Sequence, residues 1–375
     1  MSRDFVRTIS GVQGNKSTDF LHKIHIDHIL LPLICAVLLF GLAILNSAAS
    51  AEIEVIYAQS VRIGIGFILM LAIAQVPGHY FFRWAPLLYL FSVALLFLVF
   101  LFGIEAKGGQ RWLDLPGLFR FQPSEIMKLT LPLMLAWYFH DKIAPPRFRD
   151  VVLALLIIVL PVGFIVIQPD LGTGILVSLS GLAIVFFAGI KWKWIMFFGL
   201  ACLLFSPLLW FSMTDYQQGR VLTLLDPQSD PLGAGWHIIQ ATTAIGSGGL
   251  LGKGLLMGTQ SYLEFLPETK TDFIGAVLGE ELGFVGLSFL MILYSLIISR
   301  CIFMATKSGS TFGRLLSGSL IVSFFGYAFV NIAMVCGLLP IVGVPLPLVS
   351  YGGTSIISLM IGFGIIMSMR YHKAW

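Results

Sequence analysis

The sequence predicts an all-α polytopic membrane protein with ten transmembrane helices and a large extracytoplasmic loop between the seventh and eighth. Three observations lead there. Hydrophobic residues make up 57% of the 375 positions and charged residues only 11%, against about 25% charged in an ordinary soluble domain. The mean hydropathy is +0.92. The apolar residues form continuous runs, long enough as helices to cross about 30 Å of hydrocarbon, rather than the alternation of a β-barrel. A soluble globule and a disordered chain are both excluded.

The elements follow in order. Polar residues 1–27, with Arg3, Arg7, Lys16 and Lys23, read as a cytoplasmic N-terminal segment rather than a cleavable signal peptide. Within it His22, His25 and His28 recur with Leu21, Ile24 and Ile26, the pattern of an interfacial helix more than of a metal site. Residues 28–375 read as one transmembrane domain. Charge-free runs cover 28–51, 63–82, 84–104, 151–169, 171–190 and 194–214. A longer run, 315–369, contains Pro340, Pro345 and Pro347, which split it into two spans around a loop at 337–353. Two further spans carry charges: 121–140, with Glu125 and Lys128, and 273–299, with Glu280 and Glu281. Cys35, Cys202, Cys301 and Cys336 lie singly in apolar runs and read as packing residues, not disulfides or metal ligands.

Ten spans put both termini on one side. With that side cytoplasmic, the inside segments hold 15 of the 23 Lys and Arg but 5 of the 19 acids. Inside is then +10 and the remainder −6, summing to the formal +4, which orients the chain by the positive-inside rule. No basic cluster is dense enough for nucleic acid. Two loops of some size lie outside, roughly 105–122 and 213–271. The second opens with turn-rich sequence, continues with a short helix candidate, WHIIQATTAIG (236–246), and ends in the Gly-rich GSGGLLGKGLLMG (246–258).

Ionisable residues inside spans mark sites, because insertion penalises each by about 2.5–3.5 kcal/mol. Pro123 and Ser124 can open a helix with Glu125 in its first turn, and Lys128 shares its face at i, i+3. Structural pairing and direct catalysis read equally well for this pair. Thr271 is placed to cap the next charged span, with Asp272 in its first turn and Glu280 eight residues deeper, about 12 Å by helix rise. That separation exceeds the roughly 5–9.5 Å of a hydrolase carboxylate pair. Asp272 therefore reads as a capping acid or a single general base. The Gly-rich stretch is not a phosphate-binding P-loop, since Ser247 and Gly254 stand where that motif needs Gly and Ser or Thr. Its glycines read as turns and close packing. No cofactor motif is present. An outward-facing enzyme without nucleotide must use a substrate activated elsewhere, and a polyprenyl-diphosphate-linked sugar fits. Arg111, Arg120, Lys128, Arg220, Lys253 and Lys270 are the bases available for its diphosphate. A lipid flippase or transporter and a non-catalytic scaffold are the rival readings. The outer-half crowding of the ionisable residues disfavours the flippase.

The strings GGQRWLDL (108–115), RFQPSEIMKL (120–129), QPDLGT (168–173), GTQSYLEFLPE (258–268), TDFIGAVLGEELGFVG (271–286) and GLLPIVGVPLPLVSYGGTS (337–355) resemble the SEDS family of bacterial envelope proteins over the whole membrane domain. GTQSYLEFLPE and VGVPLP favour its elongation branch over its division branch. The resemblance implies a peptidoglycan glycosyltransferase of the cytoplasmic membrane that polymerises lipid II beside a class B penicillin-binding protein. It implies Asp272 as the essential acid, Glu125 and Lys128 as an intramembrane pair, and Arg111 as a supporting residue. Arg220, Lys253, Lys270, Glu280 and Glu281 stand as supporting or substrate-binding candidates. A divalent cation, Mg or Mn, is the only cofactor in view. Lys270 and Gly275 depart from the family pattern, which has a His and a bulky aromatic there.

Overall fold

The computed structural model describes residues 25–106, 109–114, 120–213, 215–229, 233–259 and 268–372. Among these are twelve α-helices and three short strands. The order is α1 (Leu30–Ala48), α2 (Ile53–Ala74), α3 (Gly78–Phe102), β1 (Ile104–Ala106), β2 (Gly109–Asp114), β3 (Arg120–Phe121), α4 (Pro123–Phe139), α5 (Phe148–Ile167) and α6 (Leu171–Phe187). Then follow α7 (Trp192–Ser212), α8 (Asp215–Leu225), α9 (Ala234–Gly248), α10 (Ile274–Thr306), α11 (Thr311–Val335) and α12 (Thr354–Tyr371). Seven of them, α1, α2, α3, α5, α10, α11 and α12, are long and apolar enough to cross a membrane. The chain is a multi-pass membrane protein.

Several boundaries differ from the sequence reading. Charge-free runs place the second span at 63–82 and the third at 84–104; the helices run Ile53–Ala74 and Gly78–Phe102. Charge is the reason. Glu54 sits in the first turn of α2, where the helix dipole favours an acid. Arg62 is carried inside α2 against Tyr351, and Arg83 lies exposed near the start of α3. The chain instead turns at Gln75–Pro77, where proline starts a helix more readily than it continues one. The loop expected at 105–122 carries an antiparallel sheet in the order β1-β2-β3, with Ile104 opposite Trp112 and Leu113 opposite Phe121. Residues 25–29 form turns rather than the interfacial helix, and the rest of that segment lies outside the described residues.

Packing centres on α4, α11 and α12. α11 lies against α4 and α6, α12 against α2, α3 against α4, and α10 against α1 and α9. α7 is different: Phe197, Leu200, Leu204, Leu208 and Phe211 are all exposed along it, as suits a helix in lipid. One buried acid ties three helix ends together. Asp27 accepts the backbone N–H of Ile29 and Leu30 at the start of α1. It also accepts Arg300 Nε and Nη2 from α10 at 2.9 and 2.8 Å, and Arg370 and Tyr371 from the end of α12. Burial alone would raise its pKa. The Arg300 hydrogen bonds, the Leu30 N–H, the Arg300 charge and the Ile29 N–H outweigh burial and hold it at about 2.

α10 is broken at Gly283, whose φ of 62° and ψ of −157° are not helical. The break frees backbone groups, and the Gly-rich stretch satisfies them. Lys253 N–H donates to Glu280 O and Gly254 N–H to Glu281 O, at 3.1 and 2.9 Å. Phe284 N–H donates to Gly249 O at 3.0 Å, and Val285 N–H to Leu250 O at 3.1 Å. Glycine is required at the crossing: a Cβ on Gly252 would lie 2.1 Å from Glu281 O, and one on Gly283 2.5 Å from Gly252 N. The sequence expectation of close packing for these glycines is what the fold uses them for.

Candidate active site

Asp272 lies in the turn 268–273, just before α10, whose N-cap is Phe273. The sequence reading places it in the first helical turn with Thr271 as cap. Instead Thr271 Oγ1 donates to Glu268 Oε2 at 2.8 Å, and Thr271 and Phe273 N–H both donate to Glu268 O. The turn is held by the proline-rich loop between α11 and α12. Asn331 Nδ2 donates to Asp272 O at 2.8 Å and to Val344 O at 2.7 Å. Ser350 Oγ donates to Thr271 O at 2.6 Å, and Tyr351 N–H to Lys270 O at 2.8 Å. Gly343 of that loop lies beside the carboxylate: a Cβ there would stand 3.6 Å from Asp272 Oδ2. The ring of His237, on α9, lies 6.3 Å from that of Phe273.

Below this turn, on the same helix that carries Asn331, Tyr327 reaches the expected ion pair. Glu125 and Lys128, both buried on α4, pair at 2.7 Å. Tyr327 Oη bonds with Lys128 Nζ and lies 3.2 Å from Glu125 Oε2, while Ser358 Oγ of α12 donates to the same oxygen at 2.8 Å. The pair thus couples α4, α11 and α12. Tyr327 and Asn331 are one turn apart on α11, about 6 Å by helix rise. One face of α11 therefore connects the pair to the Asp272 turn.

A second polar cluster surrounds Asp170, at the cap of α6. Its carboxylate accepts Thr173 N–H at 3.2 Å and Gln122 Nε2 at 2.9 Å. Arg111, on β2, has Nη1 3.8 Å from Asp170 Oδ1 and donates Nη2 to Pro169 O. A third lies under the Gly-rich stretch. Lys253 Nζ pairs with Glu280 Oε1 at 2.7 Å and donates to Thr259 Oγ1 at 2.8 Å. Ser47 Oγ of α1 donates to Glu281 Oε1 at 2.5 Å and accepts Leu256 N–H at 2.9 Å. Glu280 and Glu281 are both fully buried. Lys270 pairs with Glu52 at 2.6 Å. Arg220 lies on α8, and the Arg120 side chain and residues 260–267 lie outside what is described.

The structure thus gathers Asp272 with the proline-rich loop and Glu125 with Lys128. Arg111, Lys253 and Lys270 it engages with acids of their own. Sequence reading missed Asp170, Tyr327, Asn331 and Ser358. Tyr327 and Asn331, polar at i, i+4 in an apolar span, were the available signal. A Cβ on Gly275 would stand 3.6 Å from Asn331 Oδ1. Among the described residues no three His, Cys, Asp or Glu come together to hold a metal ion.

The chain belongs to the family whose model is described as cell cycle protein, FtsW/RodA/SpoVE, which matches residues 22–374. It is 50% identical over 363 residues to the peptidoglycan glycosyltransferase MrdB of Escherichia coli K12, covering 96% of this chain and 97% of that one. The fold matches a chain of a solved peptidoglycan synthase complex, described as coordinating polymerization and crosslinking. The TM-score is 0.80 and the identity 32%, covering 92% of this chain and 97% of that one. It also matches the crystal structure of the rod shape determining protein RodA of Thermus thermophilus, with TM-score 0.70 and 30% identity, covering 92% and 96%.

Proposed function

We propose that the chain is a peptidoglycan glycosyltransferase that polymerises lipid II into β-1,4 glycan strands during cell elongation. It works beside a class B penicillin-binding protein in the bacterial cytoplasmic membrane. Ten spans serve this reading: the seven long apolar helices with α4, α6 and α7. Both termini are then cytoplasmic, residues 1–27 form the cytoplasmic segment, and 28–375 form one membrane domain whose Asp272 end faces outward. The observation that carries the mechanism is the placement of Asp272. It sits in a turn outside the apolar helix, fixed by side chains of α11 and the 337–353 loop through backbone carbonyls. Those hydrogen bonds fix the backbone of the turn without using the carboxylate.

In the reaction, Asp272 takes the proton from the 4-hydroxyl of the acceptor's N-acetylglucosamine as that oxygen bonds to the anomeric carbon of the donor's N-acetylmuramic acid. The bond from that carbon to the diphosphate oxygen breaks, and its electron pair leaves with undecaprenyl diphosphate. One displacement converts the α-linked donor to a β bond, so no glycosyl-enzyme forms. Glu125 and Lys128 act as positioning residues through Tyr327 and α11. Glu280 with Lys253, and Glu281 with Ser47, hold the Gly-rich stretch to α10.

The test is purified protein with its partner and fluorescent lipid II in detergent, where no vesicle interior exists for transport. Glycan chains are expected from wild type. Asp272→Asn should lose about 10²–10⁴-fold, the usual share of a general base, while membrane insertion and partner binding survive. Near-wild-type synthesis by Asp272→Asn would remove it from the mechanism, and no synthesis by wild type would favour a transporter or scaffold.

A further inference from the structure

We propose that Arg62 is the guanidinium that receives the donor's diphosphate. The inference rests on the glycosyltransferase reading and names a residue of its site. Arg62 lies nine positions beyond the start of α2, about 14 Å along an apolar helix. It is half-buried, and its Nη1 is shielded from solvent without a hydrogen-bond partner. Its guanidinium lies over the ring of Tyr351, 4.4 Å from Cζ to centroid. The other cations near the site are already committed to acids: Lys128 to Glu125, Lys253 to Glu280, Lys270 to Glu52 and Arg111 to Asp170. Arg62 has no such acid among the described residues. A half-buried cation with no acid beside it among the described residues is poised for an anion that arrives.

Its position fits the departing group. Tyr351, which carries the guanidinium on its ring, is bonded through its own N–H to Lys270 O, two residues before Asp272. Gln59, one turn earlier on α2, donates to Ser350 O at 3.0 Å and accepts Gly352 N–H at 3.4 Å. Ser350 in turn holds Thr271 O. Residues 350–352 are therefore a short bridge with Arg62 at one end and the Asp272 turn at the other. Two glycines stand against those ends. A Cβ on Gly353 would stand 3.9 Å from Arg62 Nε, and one on Gly343 3.6 Å from Asp272 Oδ2. A planar guanidinium stacked on one face keeps its in-plane N–H donors, which suit two phosphate oxygens at once. Charge builds on the diphosphate oxygen as the anomeric bond breaks, so a fixed cation there lowers the barrier. A cation that only packs on Tyr351 would do none of this.

The two roles separate by experiment. Binding of undecaprenyl diphosphate and of uncharged undecaprenol is measured on purified wild type, Arg62→Gln, Arg62→Lys and Asp272→Asn in detergent, along with melting temperature without ligand. Arg62→Gln is expected to bind the diphosphate about tenfold or more weakly, to bind undecaprenol as wild type does, and to melt no lower than wild type, since it removes an unpaired charge. Arg62→Lys, which keeps the charge and guards against misfolding of the Gln variant, should fall between. Asp272→Asn should bind the diphosphate normally while failing to polymerise. Equal diphosphate affinity in wild type and both Arg62 variants overturns the proposal and leaves the glycosyltransferase reading standing. So does a variant that melts lower and loses undecaprenol equally, which marks Arg62 as structural. No diphosphate binding by wild type overturns it as well. Absence of polymerisation by wild type that still binds diphosphate through Arg62 would sink only the glycosyltransferase reading.

Discussion

Cutting the Glu125–Lys128 pair from its two sides should give unequal losses. Removing one member of a buried ion pair costs about 3–5 kcal/mol, mostly for the charge left behind. What remains around that charge differs here. In Lys128→Met the Glu125 carboxylate keeps two hydroxyl donors, Ser358 at 2.8 Å and Tyr327 at 3.2 Å, and hydrogen bonds to charged groups are worth about 1.5–3 kcal/mol each. In Glu125→Leu the ammonium keeps only the Tyr327 oxygen and ring. We therefore expect a loss of roughly 2 kcal/mol for Lys128→Met and roughly 4 kcal/mol for Glu125→Leu. The double variant should be more stable than Glu125→Leu alone, because no uncompensated charge remains. Thermal unfolding in detergent, with polymerisation measured on the same samples, reads both effects. Singles as stable as wild type would refute the buried-pair argument, as would a double variant whose loss is the sum of the singles.

Other parts of the fold carry expectations of their own. Asp27 is held at about 2 in the folded chain against 3.8 unperturbed; its contribution, about 2 kcal/mol, is fully present above pH about 4 and is lost as pH falls through about 2. Asp27→Asn should be less stable at neutral pH and lose less between pH 4 and 2; parallel melting curves across that range would disprove the clasp. Gly252→Ala would put a Cβ 2.1 Å from Glu281 O and should loosen the Gly-rich stretch, seen as faster hydrogen exchange at residues 253–254 and 284–285; unchanged exchange there would contradict the crossing. A cysteine at exposed Gln228, in a background with the four native cysteines replaced, should react with an impermeant thiol reagent on intact cells. Labelling only after lysis would reverse the proposed orientation.

The apolar runs were legible because a membrane span is a local property: length and hydrophobicity decide it without reference to the rest of the chain. The split of 315–369 at its prolines and the short helix at 234–248 were local in the same sense, and so was Glu125–Lys128, whose i, i+3 spacing makes the contact. The shift of α2 to Ile53 was not local. Arg62 is acceptable inside a helix only because Tyr351, far along the chain, covers it. The same holds for the break at Gly283. Its freed backbone groups must be paired once buried, and they find partners upstream in residues 249–254, a stretch that reads alone as turns and close packing without naming what it packs on. Composition and run length determined that the chain is a multi-pass membrane protein, and a single acid at the head of a charged run made Asp272 a candidate. Only the tertiary structure decided that Lys128, Lys253, Lys270 and Arg111 are paired with acids while Arg62, among the described residues, stacks on a ring instead, because ion pairing depends on distances between helices that no single helix encodes.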